Sequence, residues 1–138
     1  MLLEIAEELT SRRDDGEKLG ERDFVFAAWS GEELGLLGSA RWVSDHIDPH
    51  TDPQPHATAG RLDQERPRDG VVAYLNFDMV GRLRENVVIQ GLGSSPLWPE
   101  LLESAAAPLA LSIVPQTDSY LPTDATSFYT HGVPILSV

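Results

Sequence analysis

Acidic residues stand where two apolar runs of the sequence end. Glu32 and Glu33 come just after the run at residues 24–29, and Asp78 directly follows the run at residues 71–77. A carboxylate beside a buried segment is costly unless it is paired, hydrogen-bonded or bound to a metal. Each acid also has a structural interpretation, since Glu32 and Glu33 fit the first turn of a helix and Asp78 can begin a turn. Their equivalent positions favour a zinc or hard-cation site.

Adjacent glutamates suit metal-assisted hydrolysis because neighbouring side chains leave the backbone in different directions. One can hold a metal ion while the other takes a proton from the attacking water. The pair at positions 32 and 33 therefore predicts a hydrolytic site, provided that a further ligand such as Asp78 lies nearby.

The elements that would position these acids alternate between strand-like and helix-like patterns. Continuous apolar runs of this length are typical of strands covered on both faces of a parallel sheet. We expect a single α/β domain with three α/β/α layers and a mostly parallel or mixed sheet. In such sheets ligands bind beyond the carboxyl ends of the strands, so one rim would gather the acids. The predicted parts are a helix at 1–10, a strand, turn and helix at 24–47, a polar loop at 50–70, a second site strand at 71–81, a third strand at 86–90, a helix at 96–107, a strand at 109–115, and a pocket segment with the last strand at 120–138.

Composition excludes several functions. The 138 residues include 10 Lys and Arg against 22 Asp and Glu, a formal charge of -12, which disfavours nucleic acid and anionic membrane surfaces as partners. There is no cysteine, so any metal must be held by His, Asp or Glu. The sequence contains no apolar run long enough to span a membrane, and its start does not have the pattern of a signal peptide.

Three motifs, in this order, resemble metallopeptidase family twenty-eight, the co-catalytic di-zinc aminopeptidase family. They are SGEELGLLGS at 30–39, LNFDMVGR at 75–82, and TDATSF at 123–128 followed by GVP at 132–134. The resemblance covers residues 24–138. It implies a zinc-exopeptidase-like fold, two zinc ions that share a water, and peptides with a free N-terminus as substrates.

The resemblance also implies a role for individual residues. Glu32 matches the general base that activates the shared water, Glu33 a ligand of one zinc, and Asp78 a ligand of the other. Asp124 and Phe128 match the segment that lines the substrate pocket.

The ligand set departs from the family pattern. The family uses five protein ligands, and a His and a bridging Asp before the first helix and a His after the last strand have no match in the chain. The four histidines, His46, His50, His56 and His131, do not stand where those ligands fall. We therefore expect an incomplete catalytic domain that is inactive alone and does not bind two zinc ions tightly.

Two alternatives share the same motifs. One is an acyl transferase like the glutaminyl cyclases of this family, and the other is a non-catalytic remnant or binding module that keeps the fold. The residues LLG at 36–38 and NFDMVG at 76–81 look more like the peptidase branch.

Overall fold

The structure, a computed structural model, describes residues 1–47, 70–81, 85–109 and 111–138. The α-helices are α1 (Leu2–Asp14), α2 (Leu37–His46), α3 (Trp98–Ala106) and α4 (Ala125–Tyr129). The strands are β1 (Tyr74–Asn76), β2 (Val87–Ile89), β3 (Ile113–Pro115) and β4 (Ile135–Ser137). Short 3₁₀ turns cover Leu92–Ser94 and Ala107–Leu109. The polar loop predicted at 50–70 lies outside the described residues except for Gly70.

The strands form two parallel pairs. β1 pairs with β4, with Tyr74 opposite Ile135, and β2 pairs with β3. A single antiparallel bridge between Gln90 and Ser137 joins the two pairs. Helices combined with short parallel strands are what an α/β fold requires.

β4 is buried on both of its faces. Ile135 is fully buried in one apolar cluster, and its neighbour Leu136 belongs to another cluster that includes Trp98 of α3. Successive side chains of a strand point to opposite faces, so one short strand supplies both clusters. The buried members of the first cluster are Val43, Leu121, Ala125, Phe128, Val133 and Ile135.

Aromatic rings organise the first cluster. The Phe128 ring stacks on the Tyr74 ring with 3.9 Å between centroids and 5° between planes. Trp29 and Trp42 each lie about 6 Å from Phe128, measured between ring centroids. The Trp29 indole N–H donates to the Tyr74 hydroxyl at 3.0 Å, and that hydroxyl donates to Asn76 Oδ1 at 3.0 Å. These contacts hold residue 29, just before the paired glutamates, against β1.

The strand predicted at 24–29 is not present. None of the described strands pairs with this run, and the side chains of Phe24 and Val25 are 58% and 76% exposed. An apolar run becomes a strand only when a neighbouring strand satisfies its backbone groups. Only the end of the run, at Trp29, reaches the core.

Other predicted elements are present with altered ends. The helix predicted at 1–10 continues to Asp14, while the strand predicted at 71–77 shortens to Tyr74–Asn76. No residue of α1 is buried, so this helix contributes little to either cluster. Within the described parts of the chain, no helix is long and apolar enough to cross a membrane.

Tyr74 gives a pH dependence that can be measured. Burial raises the pKa of Tyr74 to about 12. The hydrogen bond from Trp29 acts to lower this pKa, and the charges of Asp124 and Asp78 act to raise it further. An unfolded tyrosine has a pKa of about 10. The neutral phenol therefore contributes stability that is complete below about pH 10 and is lost as the pH rises towards about 12. Phenolate absorbance should show a late-titrating tyrosine that Tyr74→Phe removes and that the exposed control Tyr120→Phe leaves in place.

Candidate active site

Glu32 and Glu33 lie in a tight turn that precedes α2. The turn has positive φ angles at Gly31 (68°), Gly35 (107°) and Leu36 (59°), and the Glu32 carbonyl accepts hydrogen bonds from the N–H groups of residues 35 and 36. Both glutamates therefore lie in the turn and outside the helix, which begins at Leu37, so the alternative interpretation that they occupy the first turn of the helix is wrong. The left-handed backbone at Leu36 is unfavourable for a side chain with a Cβ, and such strain is concentrated at functional sites.

Gly38 fixes the position of this turn. Its N–H donates to the Ser30 carbonyl at 2.9 Å, and a Cβ added at position 38 would lie 2.7 Å from that same oxygen. Only glycine permits this approach between α2 and the end of the run at residues 24–29.

Asp78 lies just beyond the carboxyl end of β1. Its backbone N–H donates to the Val138 carbonyl at 3.2 Å, and the Val138 N–H donates to the Asn76 carbonyl at 3.0 Å. The parallel ladder with β4 thus continues past the strand and holds the Asp78 backbone. Met79 follows with a φ of 50°, a second strained residue beside an acid of the site.

Asp124 is the buried acid of the site. It stands at the N-terminus of α4 with 8% exposure, and its Oδ1 accepts from the Ser39 hydroxyl at 2.5 Å. Ser39 Oγ also lies 2.9 Å from Ser127 Oγ. This polar contact joins α2 to α4, the two helices that carry the neighbouring parts of the site.

Electrostatic interactions relate these acids to one another. The pKa of the half-buried Glu32 is raised first by desolvation, and then by the negative charges of Glu33, Asp124 and Asp78. All three charges that act on Glu32 have the same sign as its own. Asp78 and Asp124, from two other stretches of the sequence, thus lie within electrostatic range of Glu32, and together with Glu33 they disfavour its ionised form.

Phe128 lies behind these acids in the core. Its side chain is 2% exposed and stacks on Tyr74. Phe128 can therefore affect a pocket only by packing behind the residues that line it. The histidines face elsewhere. His46 Nδ1 lies 2.9 Å from the Trp42 carbonyl and His131 Nδ1 lies 2.8 Å from the Ser127 carbonyl, while positions 50 and 56 lie outside the described residues.

Neither Ser39 nor Ser127 was predicted from the sequence as part of the site. Burial of Ser39 could have been predicted from its spacing, because Ser39 precedes Val43 by one helical turn and would share its inward face. Both residues are completely buried. A hydroxyl on a buried face needs a polar partner, and here that partner is Asp124.

The acids fit part of a zinc site. Carboxylate oxygens are suitable zinc ligands, and Glu33 and Asp78 both act electrostatically on Glu32. A protein zinc site normally uses at least three protein ligands. Among the residues that the structure describes, no three His, Cys, Asp or Glu side chains form a group that could hold a metal ion. The donor chemistry agrees with zinc, but the set within these residues is incomplete.

Comparisons with known proteins place the chain in a peptidase family. The model of peptidase family M28 matches residues 1–138, and the chain belongs to that family. Members of the family are generally zinc-dependent. A curated protein of Zea mays, named probable glutamate carboxypeptidase VP8, is 31% identical over 105 residues, which cover 73% of this chain. The match covers 11% of the length of the maize protein. No solved structure matches the chain.

The close contact at Gly38 can be tested by adding one methyl group. Gly38→Ala should lower the free energy of unfolding by about 1–3 kcal/mol, because the new Cβ clashes with the Ser30 backbone. Gly70→Ala is the control, since a Cβ there meets no atom of the described residues within 4 Å. Denaturant unfolding of both variants measures the difference. Equal stability of the two would show that α2 can move away from Ser30 without cost.

Repulsion among the acids should also affect stability. Glu33→Gln and Asp78→Asn are each expected to raise the thermal midpoint of the metal-free chain, because each removes a negative charge that acts on Glu32. Glu103→Gln on α3 is the matched control. Scanning calorimetry with a chelator present gives the comparison, and lower midpoints for both variants would show that these carboxylates already have compensating partners.

Proposed function

We propose that this chain provides the general base and two carboxylate ligands of a zinc-dependent exopeptidase of the aminopeptidase type. The main support is the placement of Glu32, a half-buried carboxylate in the turn that Gly38 and Ser30 fix, whose pKa in the metal-free chain is raised first by desolvation and then by the charges of Glu33, Asp124 and Asp78. Shifts of this kind are concentrated in catalytic sites. The strained backbone at Leu36 and Met79, beside the proposed ligands, adds to this support.

Glu32 acts as the general base in this proposal. A carboxylate with a raised pKa binds a proton more strongly than an ordinary one, which suits it to take a proton from the attacking water. The same carboxyl group then delivers the proton to the leaving amine. Glu32 lies in a turn fixed to Ser30 through Gly38, so its backbone position is set before substrate arrives.

Glu33 and Asp78 would hold zinc, one ion each. Zinc, when bound, polarises the scissile carbonyl and stabilises the charge that develops on its oxygen. It would also offset the mutual repulsion of the acids. Their remaining partners would come from outside the described residues.

The charge of the site favours a substrate with a free amino end. The maize relative is named for a carboxypeptidase activity, and a carboxypeptidase must bind the negatively charged end of a peptide. Of the acids that act on Glu32, Asp124 is not a proposed zinc ligand, so zinc does not take up its negative charge. This carboxylate attracts an ammonium group and repels a carboxylate. We therefore propose that the substrates are peptides with a free N-terminus.

The proposed fold is the three-layer α/β/α arrangement of zinc exopeptidases. Its support is β4, which contacts the cluster of α2 and α4 through Ile135 and the cluster of α3 through Leu136. A strand with helices against both faces is the repeating feature of that architecture.

Substitution of the two glutamates separates their roles in the whole protein. Glu32→Gln should retain zinc and lose about 10²–10⁴-fold in turnover, because an amide cannot accept the proton. Glu33→Ala should lower the zinc content. The assay uses an aminoacyl-anilide, its N-acetylated form and a peptide with a C-terminal glutamate, and only the first should be cleaved.

Glu103→Gln serves as the control for an unrelated change of charge on α3. A Glu32→Gln variant with a normal rate would exclude Glu32 as the base. Preferred cleavage of the peptide with a C-terminal glutamate would replace the aminopeptidase proposal with a carboxypeptidase.

A further inference from the structure

Ser39 is a completely buried residue of α2 whose hydroxyl has three polar neighbours. Its Oγ lies 2.5 Å from Asp124 Oδ1, 2.9 Å from Ser127 Oγ and 3.1 Å from the Leu36 carbonyl oxygen. The three partners come from two helices and the turn that carries the paired glutamates.

The number of protons fixes the direction of these hydrogen bonds. A serine hydroxyl has one hydrogen to donate. The shortest contact, with Asp124, leads to a carboxylate, and bonds to charged groups are the short and strong ones. Ser39 therefore donates to Asp124, which leaves no proton for the Leu36 carbonyl, and it can only accept from Ser127. The result is a directed chain from Ser127 through Ser39 to Asp124.

Stability alone does not require this chain of hydrogen bonds. Replacing two hydrogen-bonded buried groups by apolar groups of similar shape is often neutral or stabilising. The surrounding cluster of Val43, Ala125 and Phe128 is apolar and could accommodate such a replacement. The position of the Asp124 carboxylate is what this polar arrangement secures.

We propose that Ser39 is a positioning residue which, together with Ser127, holds the Asp124 carboxylate in one orientation beside Glu32. The proposal rests on the proposed function, in which Glu32 is the base and Asp124 belongs to the substrate pocket. A free aspartate side chain samples several rotamers, whereas a hydrogen bond at 2.5 Å to a buried hydroxyl on a packed helix selects one. Second-layer hydrogen bonds of this type set the geometry of reacting groups.

The direct test is the rotamer of Asp124 in the labelled chain, measured by NMR through its side-chain carbon couplings. Wild-type protein should show one χ1 rotamer, and Ser39→Ala should show an average over several. Ser44→Ala, an exposed change on the same helix, should match the wild type. The unfolding constant of Ser39→Ala should also rise by about 10- to 100-fold, because a buried carboxylate loses its donor.

A kinetic measurement in the whole protein tests the link to catalysis. Ser39→Ala should lower kcat by about 10- to 100-fold with little change in KM, since a small misplacement of a site group has effects of that size. Loss of stability alone would lower the amount of folded enzyme and leave kcat per folded molecule unchanged. Ser127→Ala keeps the bond between Ser39 and Asp124 and should have the same effects at smaller size, which covers the case in which Ser39→Ala does not fold.

The outcomes separate this inference from the proposed function. The positioning role would be overturned if Ser39→Ala left the Asp124 rotamer unchanged. If Ser39→Ala does not fold, an unchanged rotamer in Ser127→Ala would overturn it. A changed rotamer with an unaltered kcat would overturn its link to catalysis. Absence of peptidase activity in wild-type protein with zinc would count against the proposed function, and the couplings of Asp124 would still decide whether Ser39 positions it.

Discussion

The described part of this chain depends on a strand that is buried on both faces. β4 pairs along one edge with β1, bridges to Gln90 along the other, and places Ile135 and Leu136 in opposite clusters. Such a strand carries mainly apolar side chains, because neither face meets solvent, and its buried Ser137 hydroxyl accepts a hydrogen bond from Asn76 Nδ2. Its ladder with β1 also holds the backbone of Asp78, so the packing of the core and the placement of an acid have the same origin.

Elements that are stabilised by contacts near in sequence could be predicted from the sequence. The helix Trp98–Ala106 lies within the stretch at 96–107 where the sequence predicted a helix. The run at residues 24–29 has an equally strong strand pattern and still forms no strand, because pairing depends on a neighbour that the pattern does not contain. The late start of α2 at Leu37 follows from the positive φ at Gly35 and Leu36, and a sequence does not specify that leucine will adopt it.

The residue types of the proposed site were predicted from the sequence, and the contacts that support them were not. Glu32, Glu33 and Asp78 were predicted because each follows an apolar run and because the surrounding motifs resemble a known family. The contact between Ser39 and Asp124 joins positions 85 residues apart, and no local pattern relates them. Acids gathered for function repel one another, so the fold must hold them there through other contacts. Proteins commonly carry such local costs at sites that act on substrates.

The contact of Gly38 with Ser30 also restricts how this part of the protein can change during evolution. The N–H groups of residues 34 to 38 donate to carbonyls of residues 30 to 32. These hydrogen bonds fix the number of residues in the turn. An inserted or deleted residue would shift Glu32 and Glu33 relative to α2 and would leave Gly38 unable to meet Ser30. Side chains in this segment, such as that of Leu34, can therefore be exchanged during evolution, whereas the length of the segment cannot change.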